Sequence, residues 1–380
     1  MRLLLAVGFA CLLQGCATAP VTQASRAELF NDALFAPPTE RIDAADVFAV
    51  SPGMRQYVRV EIAHQLEDKG WQRGLVDALY RPGQLRLQYD AEMTRNAAQA
   101  FEARSGNCLS LVLMTAALAR ELGLNVHFRR VFSDDAWSRV GEMQVASTHV
   151  NVTLATKQND PRLLMRDRDQ DKLTIDFMPA ARGRAYRGYT ISEATVVAMF
   201  MNNRAAEAVA AGRVDDAYWW ARGSIAQDPM YFAAYNTLGV VYQRRGHLAQ
   251  AERALTFVLA REPDNTFAMS NLALVLQGLG RADEAHALSE RLAKIEPHPP
   301  FHFFDRGRAA MKAGDYAAAR ELFAREVERD ADYHEFQFWL AAAHFALGEV
   351  GAARRHMSIA LKNSTNRSER ELYGAKLGKM

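Results

Sequence analysis

Cysteine is scarce, charge is balanced, and no apolar run is long enough to span a bilayer. Only three cysteines occur in 380 residues, Cys11, Cys16 and Cys108, which excludes a disulfide framework as the source of stability. Forty-six basic side chains face 44 acidic ones, a net charge of +2. That leaves no positive field of the kind that holds a polyanion, so nucleic acid is not an expected partner. There is no phosphate loop and no metal cluster to narrow the function further. The longest apolar stretch, Leu3 to Leu13, falls short of the roughly 20 residues a membrane-spanning helix needs.

That stretch does have the length of a secretory signal, with Met1-Arg2 as its positive start. It ends in Leu13-Gln14-Gly15-Cys16, which resembles the lipobox of bacterial lipoproteins. The resemblance implies a signal peptide over residues 1–15, acylation of Cys16 as the lipid attachment, and a membrane contact made through that lipid. Alanine at position 17 implies, by the same resemblance, an outer-membrane location facing the periplasm. A plain signal peptide cut near Ala17 to Ala19 is the alternative. Residues 16–42 are small, polar and proline-bearing in their first part, as a tether is expected to be. With Cys11 discarded and Cys16 modified, Cys108 is the one free thiol left, and in an oxidising compartment a free thiol is buried or used.

The strongest pattern lies near the C-terminus. Gly212, Gly246, Gly280, Gly314 and Gly348 recur every 34 residues, with Ala217, Ala251, Ala285, Ala319 and Ala353 in the same register and Pro229, Pro263 and Pro297 following. Tyr235, Leu238, Gly239 and Tyr242 add a first-helix pattern. Period and pattern resemble the tetratricopeptide repeat, an antiparallel helix pair with glycine in the turn and a small residue where helices meet closely. Five repeats are expected over residues 199–363, then a charged tail over 364–380. Arg204, Arg306 and His344 stand at positions usually apolar, which suits atypical, capping units. The concave groove is expected to bind a peptide or protein, with Tyr235, Asn236, Asn271, Asp305, Arg306 and Gln337 as candidate lining residues.

Between residues 43 and 190 helical periodicity gives way to strand alternation, an α+β pattern. Ser51-Pro52 starts a helix in which Val58, Ile62 and Leu66 form a buried stripe that ends before Gly70. A second helix is expected over 91–104, packing Met93, Ala97 and Phe101. Arg104-Ser105-Gly106-Asn107-Cys108 then leads into an apolar helix that ends at Gly123. At a helix N-terminus the unpaired N–H groups and the dipole favour thiolate over thiol, and the same amides can hold an oxyanion. Downstream, Ser147 to Leu154 alternates with His149 on its polar phase, and Leu173 to Phe177 alternates with Asp176 on its polar phase.

Order and spacing, with His149 41 residues after Cys108 and Asp176 a further 27 on, resemble the transglutaminase-like, papain-like thiol superfamily. The resemblance implies Cys108 as nucleophile, His149 as base and Asp176 as its orienter, with no cofactor. His127 is a competitor for the base, but the family spacing favours His149; Arg104 reads as structural. Val150-Asn151 after the histidine and Phe177-Met178-Pro179 after the aspartate depart from the family, which weakens any inference about substrate. Met201 to Glu207 resembles the junction of bacterial envelope lipoproteins that join such a domain to tetratricopeptide repeats. The expected function is cleavage or exchange of an amide bond in a peptide or protein docked by the repeats. The alternative is a catalytically silent outer-membrane scaffold or assembly factor.

Overall fold

This computed structural model describes residues 26–81, 84–91, 93–131, 137–140, 143–146, 149–156, 172–177 and 188–380. The signal segment and Cys16 lie outside them. Among the described residues no helix is long and apolar enough to cross a membrane.

The N-terminal part is α+β. Ser51 caps helix α1 (Pro52–Gln56), its side chain accepting from the Met54 N–H. The helix widens into a π-helical turn over Tyr57–Glu61 and resumes as α2 (Ala63–Lys69). Val58, Ile62 and Leu66 are buried as their four-residue spacing predicts. Gly70, at φ 82°, ends α2 and admits α3 (Trp71–Tyr80), a helix the sequence pattern did not announce. Residues 88–89 form β1 (Gln88–Tyr89).

The next helix is shorter than expected. It is α4 (Ala97–Ala103), opened by a capping box between Asn96 and Gln99, so Met93 lies outside it and is exposed. A reciprocal cap satisfies N–H groups that a helix begun at 91 would have had to bury elsewhere. Two residues of β2 (Ser105–Gly106) pair in parallel with β1 and lead into α5 (Cys108–Glu121). Gly123 at φ 71° turns the chain into β3 (Asn125–Val131). After the hairpin β4 (Trp137–Val140) and β5 (Met143–Ala146) come β6 (His149–Ala155), β7 (Lys172–Ile175) and β8 (Gly188–Ile191). The main sheet is antiparallel in the order β7-β6-β3-β8. Helix α5 is buried along its length against this sheet, with Val150, Val152 and Leu154 in the shared core.

The C-terminal part is all-α: helices α6 (Glu193–Ala210), α7 (Val214–Gln227), α8 (Phe232–Arg244), α9 (Leu248–Leu259), α10 (Thr266–Gly278), α11 (Ala282–Ile295), α12 (His302–Ala313), α13 (Tyr316–Arg329), α14 (His334–Ala346) and α15 (Val350–Asn363) stack as five pairs. All five periodic glycines have φ between 75° and 83°, the left-handed conformation that side chains with a Cβ resist. All five periodic alanines are buried. At Gly239 a Cβ would come within 2.6 Å of Leu255, so this glycine is set by close helix approach. The first helix begins at 193, ahead of the expected 199.

Two further expectations, the tail and the tether, need correction, and the repeat core has a break of its own. The charged segment 364–380 does not hang free as a tail: α16 (Arg367–Leu377), capped by Asn366, buries Tyr373 beside Met357 and Ala360. The repeat core is interrupted, one cluster running to Ala285 and a second starting at Phe301, because His298-Pro299-Pro300 breaks the stacking and α11 buries only Ala285. The described part of the tether is packed, not free. Phe35 stacks on Tyr218 with ring centroids 4.0 Å apart. The Tyr218 hydroxyl donates to Asp32 at 2.6 Å, and the Tyr242 hydroxyl donates to the Leu29 carbonyl. Thr39 gives Asp216 two hydrogen bonds, and the Trp220 indole donates to Glu40. Apolar Leu29 and Phe35 find their cover on the first repeats, with Phe30, Leu34 and Ile42 packed against the same core.

Candidate active site

The loop before α5 is locked before any chemistry is considered. Gln88 N–H donates to the Arg104 carbonyl and Asp90 N–H to the Gly106 carbonyl, both at 3.0 Å. Arg104 itself takes a left-handed conformation, φ 51°, as the C-cap of α4, which agrees with a structural role. Gly106 is required by space, since a Cβ there would meet the Ser110 Cβ at 2.6 Å. Asn107 is the N-cap: its carboxamide oxygen accepts from the Ser110 N–H at 2.9 Å and from the Ser110 hydroxyl at 2.8 Å. Cys108 is thus the first residue of a 14-residue helix, free of any disulfide and 8% exposed.

His149 opens β6 and Asp176 follows β7 directly. Because those strands are neighbours, with Val152 opposite Ile175, the residues beyond the paired segment converge. The His149 Nε2 lies 2.6 Å from the Asp176 Oδ1, and the Asn151 amide donates to the other carboxylate oxygen at 3.3 Å. The polar phase of β6 is not a solvent face at this end: His149 is 2% exposed and Asn151 is buried. Burial of the imidazole pushes its pKa down. The hydrogen bond to Asp176 and the nearness of Cys108 more than offset this and raise it to about 9. The Nδ1, the other ring nitrogen, is buried with no protein hydrogen bond that meets ordinary geometry. The side chains of Cys108, His149 and Asp176 are therefore brought together. His127 is not among them; it lies exposed on β3, paired with Thr153.

Two neighbours escaped the sequence analysis. Burial raises the pKa of the Tyr89 phenol, and the nearby Cys108 adds to the rise. Its signal was the alternation Leu85, Leu87, Tyr89. Asn151, noted only as a departure from the family, holds Asp176 from the side opposite His149. Among the described residues no group of three or more histidine, cysteine, aspartate or glutamate side chains is placed to hold a metal ion.

The groove of the repeats differs from its expected lining. Tyr235 and Gln337 are buried, each hydrogen-bonded to the carbonyl of the residue six positions before it, Pro229 and Ala331. Asn271 donates to Asn236 at 3.0 Å, and Arg306 is exposed. Asp305 does line a cavity of about 530 Å³, with Arg308, Ala309, Met311, Lys312 and Trp339. The Arg308 guanidinium sits 5.6 Å from the Trp339 ring centre.

Comparison with known proteins bears on the repeats. The tetratricopeptide repeat family matches residues 236–298 and 304–368. A curated relative, the TPR repeat-containing protein PA4667 of Pseudomonas aeruginosa, is 32% identical over 146 residues. That match spans 38% of this chain and 23% of the relative, so the chain covers less than a quarter of that protein's length. Among solved structures, Pseudomonas aeruginosa PilF is 18% identical, with 48% of this chain and 83% of that one covered and a TM-score of 0.29. A thermophilic TPR protein of Thermus thermophilus is 17% identical over 47% of this chain and 98% of its own, with a TM-score of 0.30. The C-terminal half is a tetratricopeptide-repeat array, an architecture suited to protein–protein interaction.

Proposed function

We propose that the repeats dock a peptide or protein and that Cys108, His149 and Asp176 form a thiol site, of the transglutaminase-like kind, that cleaves or exchanges an amide bond of the docked partner. The observation that carries this reading is the 2.6 Å contact between His149 and Asp176 beside a thiol at a helix N-terminus. In the proposed reaction His149 takes the thiol proton and the Cys108 sulfur attacks the amide carbon. The C–N bond breaks as His149 returns that proton to the leaving nitrogen. Water or an amine then attacks the thioester, gives its proton to His149 and displaces the sulfur, which is reprotonated. The N–H groups at the start of α5 are the donors available for the oxyanion. Which acceptor enters separates a hydrolase from a transferase, and the three side chains serve both.

A second reading has support of its own. The family match lies on 236–298 and 304–368, which favours a protein-binding scaffold whose thiol turns nothing over. On either reading the exposed cations Arg308, which lies over Trp339, and Lys312, which lines the same cavity, suit an acidic partner segment with an apolar or aromatic residue. A location at the outer membrane, with Cys16 acylated, belongs to the proposal on the strength of the Leu13 to Cys16 motif.

The test is the rate of Cys108 alkylation by iodoacetamide across pH 5 to 9 in residues 17–380, against His149→Ala and Asp176→Asn. The enzyme reading expects fast reaction at pH 6 that falls at least tenfold in His149→Ala. A slow reaction at pH 6, indifferent to both substitutions, leaves the scaffold.

A further inference from the structure

The segment Met201 to Glu207 lies in α6, the first helix of the repeat array, yet Asn203 and Glu207 turn towards the loop that carries the thiol. Glu207 accepts from the backbone N–H of Thr94 at 2.7 Å. Asn203 donates to the Thr94 Oγ1 at 3.3 Å. That same oxygen accepts from the Asn107 amide at 2.8 Å. Asn107 is the N-cap whose carboxamide oxygen holds Ser110, and the Ser110 hydroxyl in turn accepts from the Arg95 N–H at 2.8 Å. Thr94 is 1% exposed, so its polar groups have no recourse to water. On the far side Arg204 links Glu207 to Glu40 of the packed N-terminal segment.

The bonds run one way in space, from the repeat array into the thiol loop. The buried N–H at 94 is satisfied by a helix that belongs to the repeats, and the hydroxyl beside it is shared between that helix and Asn107. The orientation of the Asn107 carboxamide, and with it the first turn of α5, depends on that hydroxyl. From this we infer that Glu207 and Asn203 are positioning residues for Cys108, acting through Thr94 and Asn107, so that the first repeat is a working part of the thiol site. The inference rests on the thiol reading above. It adds that the repeat array can set the reactivity of the thiol as well as deliver a partner to it. Glu207 sits at the meeting point, with Arg204 and the N-terminal segment on one side and the N-cap on the other.

The experiment uses residues 17–380 and reads iodoacetamide alkylation of Cys108 from pH 5 to 9 in Glu207→Ala, Glu207→Gln, Asn203→Ala and Thr94→Val, with thermal unfolding followed in parallel. Glu193→Ala is the control, since it removes a different α5–α6 contact, the ion pair with Arg120. The expected result is a fall of at least fivefold at pH 6 in Glu207→Ala and Thr94→Val. Glu207→Gln, which keeps an acceptor for the Thr94 N–H, should return to within twofold of the parent, and Glu193→Ala should be unchanged. If Glu207→Ala does not fold, Thr94→Val and Asn203→Ala carry the test, because each deletes a link while leaving the carboxylate in place. Rates within twofold of the parent in all four variants, while His149→Ala still drops tenfold, overturn this inference and leave the thiol reading standing. Indifference of His149→Ala as well overturns both.

Discussion

His149 and Asp176 share a 2.6 Å hydrogen bond although one is almost wholly buried and the other keeps 38% of its side chain exposed. The pair thus joins an imidazole in a dry setting to a carboxylate that still meets solvent. The folded-state pKa of about 9 lies above the ordinary histidine value, so the sign is that of a raised base. Stability from this group is fully present below about pH 6.5 and is lost as pH rises through about 9. Urea midpoints should fall between pH 7 and 9.5, by a stability change of up to about 3 kcal/mol. His149→Phe should flatten that decline; an unchanged slope would show the imidazole is not the group responsible.

Asn151 offers a finer handle on the same pair. Its amide supports the second oxygen of Asp176, so Asn151→Ala should let the carboxylate rotate and weaken its hold on the ring. The imidazole signals of His149 in NMR should titrate lower than in the parent, and alkylation at pH 6 should slow about threefold or more, as about 0.7 kcal/mol of lost support implies. Titration at the parental value would mean Asn151 only fills space.

The N-terminal segment makes a stability prediction. Phe35 is buried and stacked on Tyr218. Phe35→Ala should cost about 3 to 5 kcal/mol, the usual range for a buried phenylalanine. Differential scanning calorimetry would read this as a lowered first transition. A shift under about 1 kcal/mol would make the segment a passive tether after all.

Two glycines of one repeat should respond for different reasons. Gly246→Ala forces a Cβ into a left-handed turn with open space around it, costing about 1 kcal/mol. Gly239→Ala drives a Cβ to within 2.6 Å of Leu255 and costs about 1 to 3 kcal/mol through overpacking. Chemical denaturation of both variants checks the order.

The groove prediction concerns charge. Arg308→Glu with Lys312→Glu should abolish binding of acidic, aromatic-containing peptides, read by quenching of indole fluorescence in which Trp339 takes part. Binding that survives both reversals would place the docking surface elsewhere on the repeats.

Much of this was legible in the chain. A 34-residue period announces itself because each repeat needs the same turn and the same close contact, so Gly246 and Ala251 had to recur. Cys108 could be set at a helix start from the apolar run that follows it. His149 and Asp176 were each recognisable by strand phase. What escaped depends on neighbours remote in sequence. Leu29 and Phe35 read as a tether because nothing local says that Tyr218 and Tyr242 will cover them. The groove lining was misassigned at Tyr235 and Gln337, since which face of a helix turns inward is decided by the next pair.

By itself, then, the sequence determined the local rules: where helices begin and end, the repeat register, the phase of each strand, the scarcity of thiols. Those rest on backbone conformation and side-chain periodicity, which act over a few residues. The tertiary structure alone decided that strands 149–155 and 172–175 lie side by side and so join a histidine to an aspartate 27 residues away. It alone decided that a glutamate at 207 completes the hydrogen bonding of a threonine at 94. Such contacts follow from how whole elements pack to bury their apolar faces, and that is a property of the assembled chain and not of any segment within it.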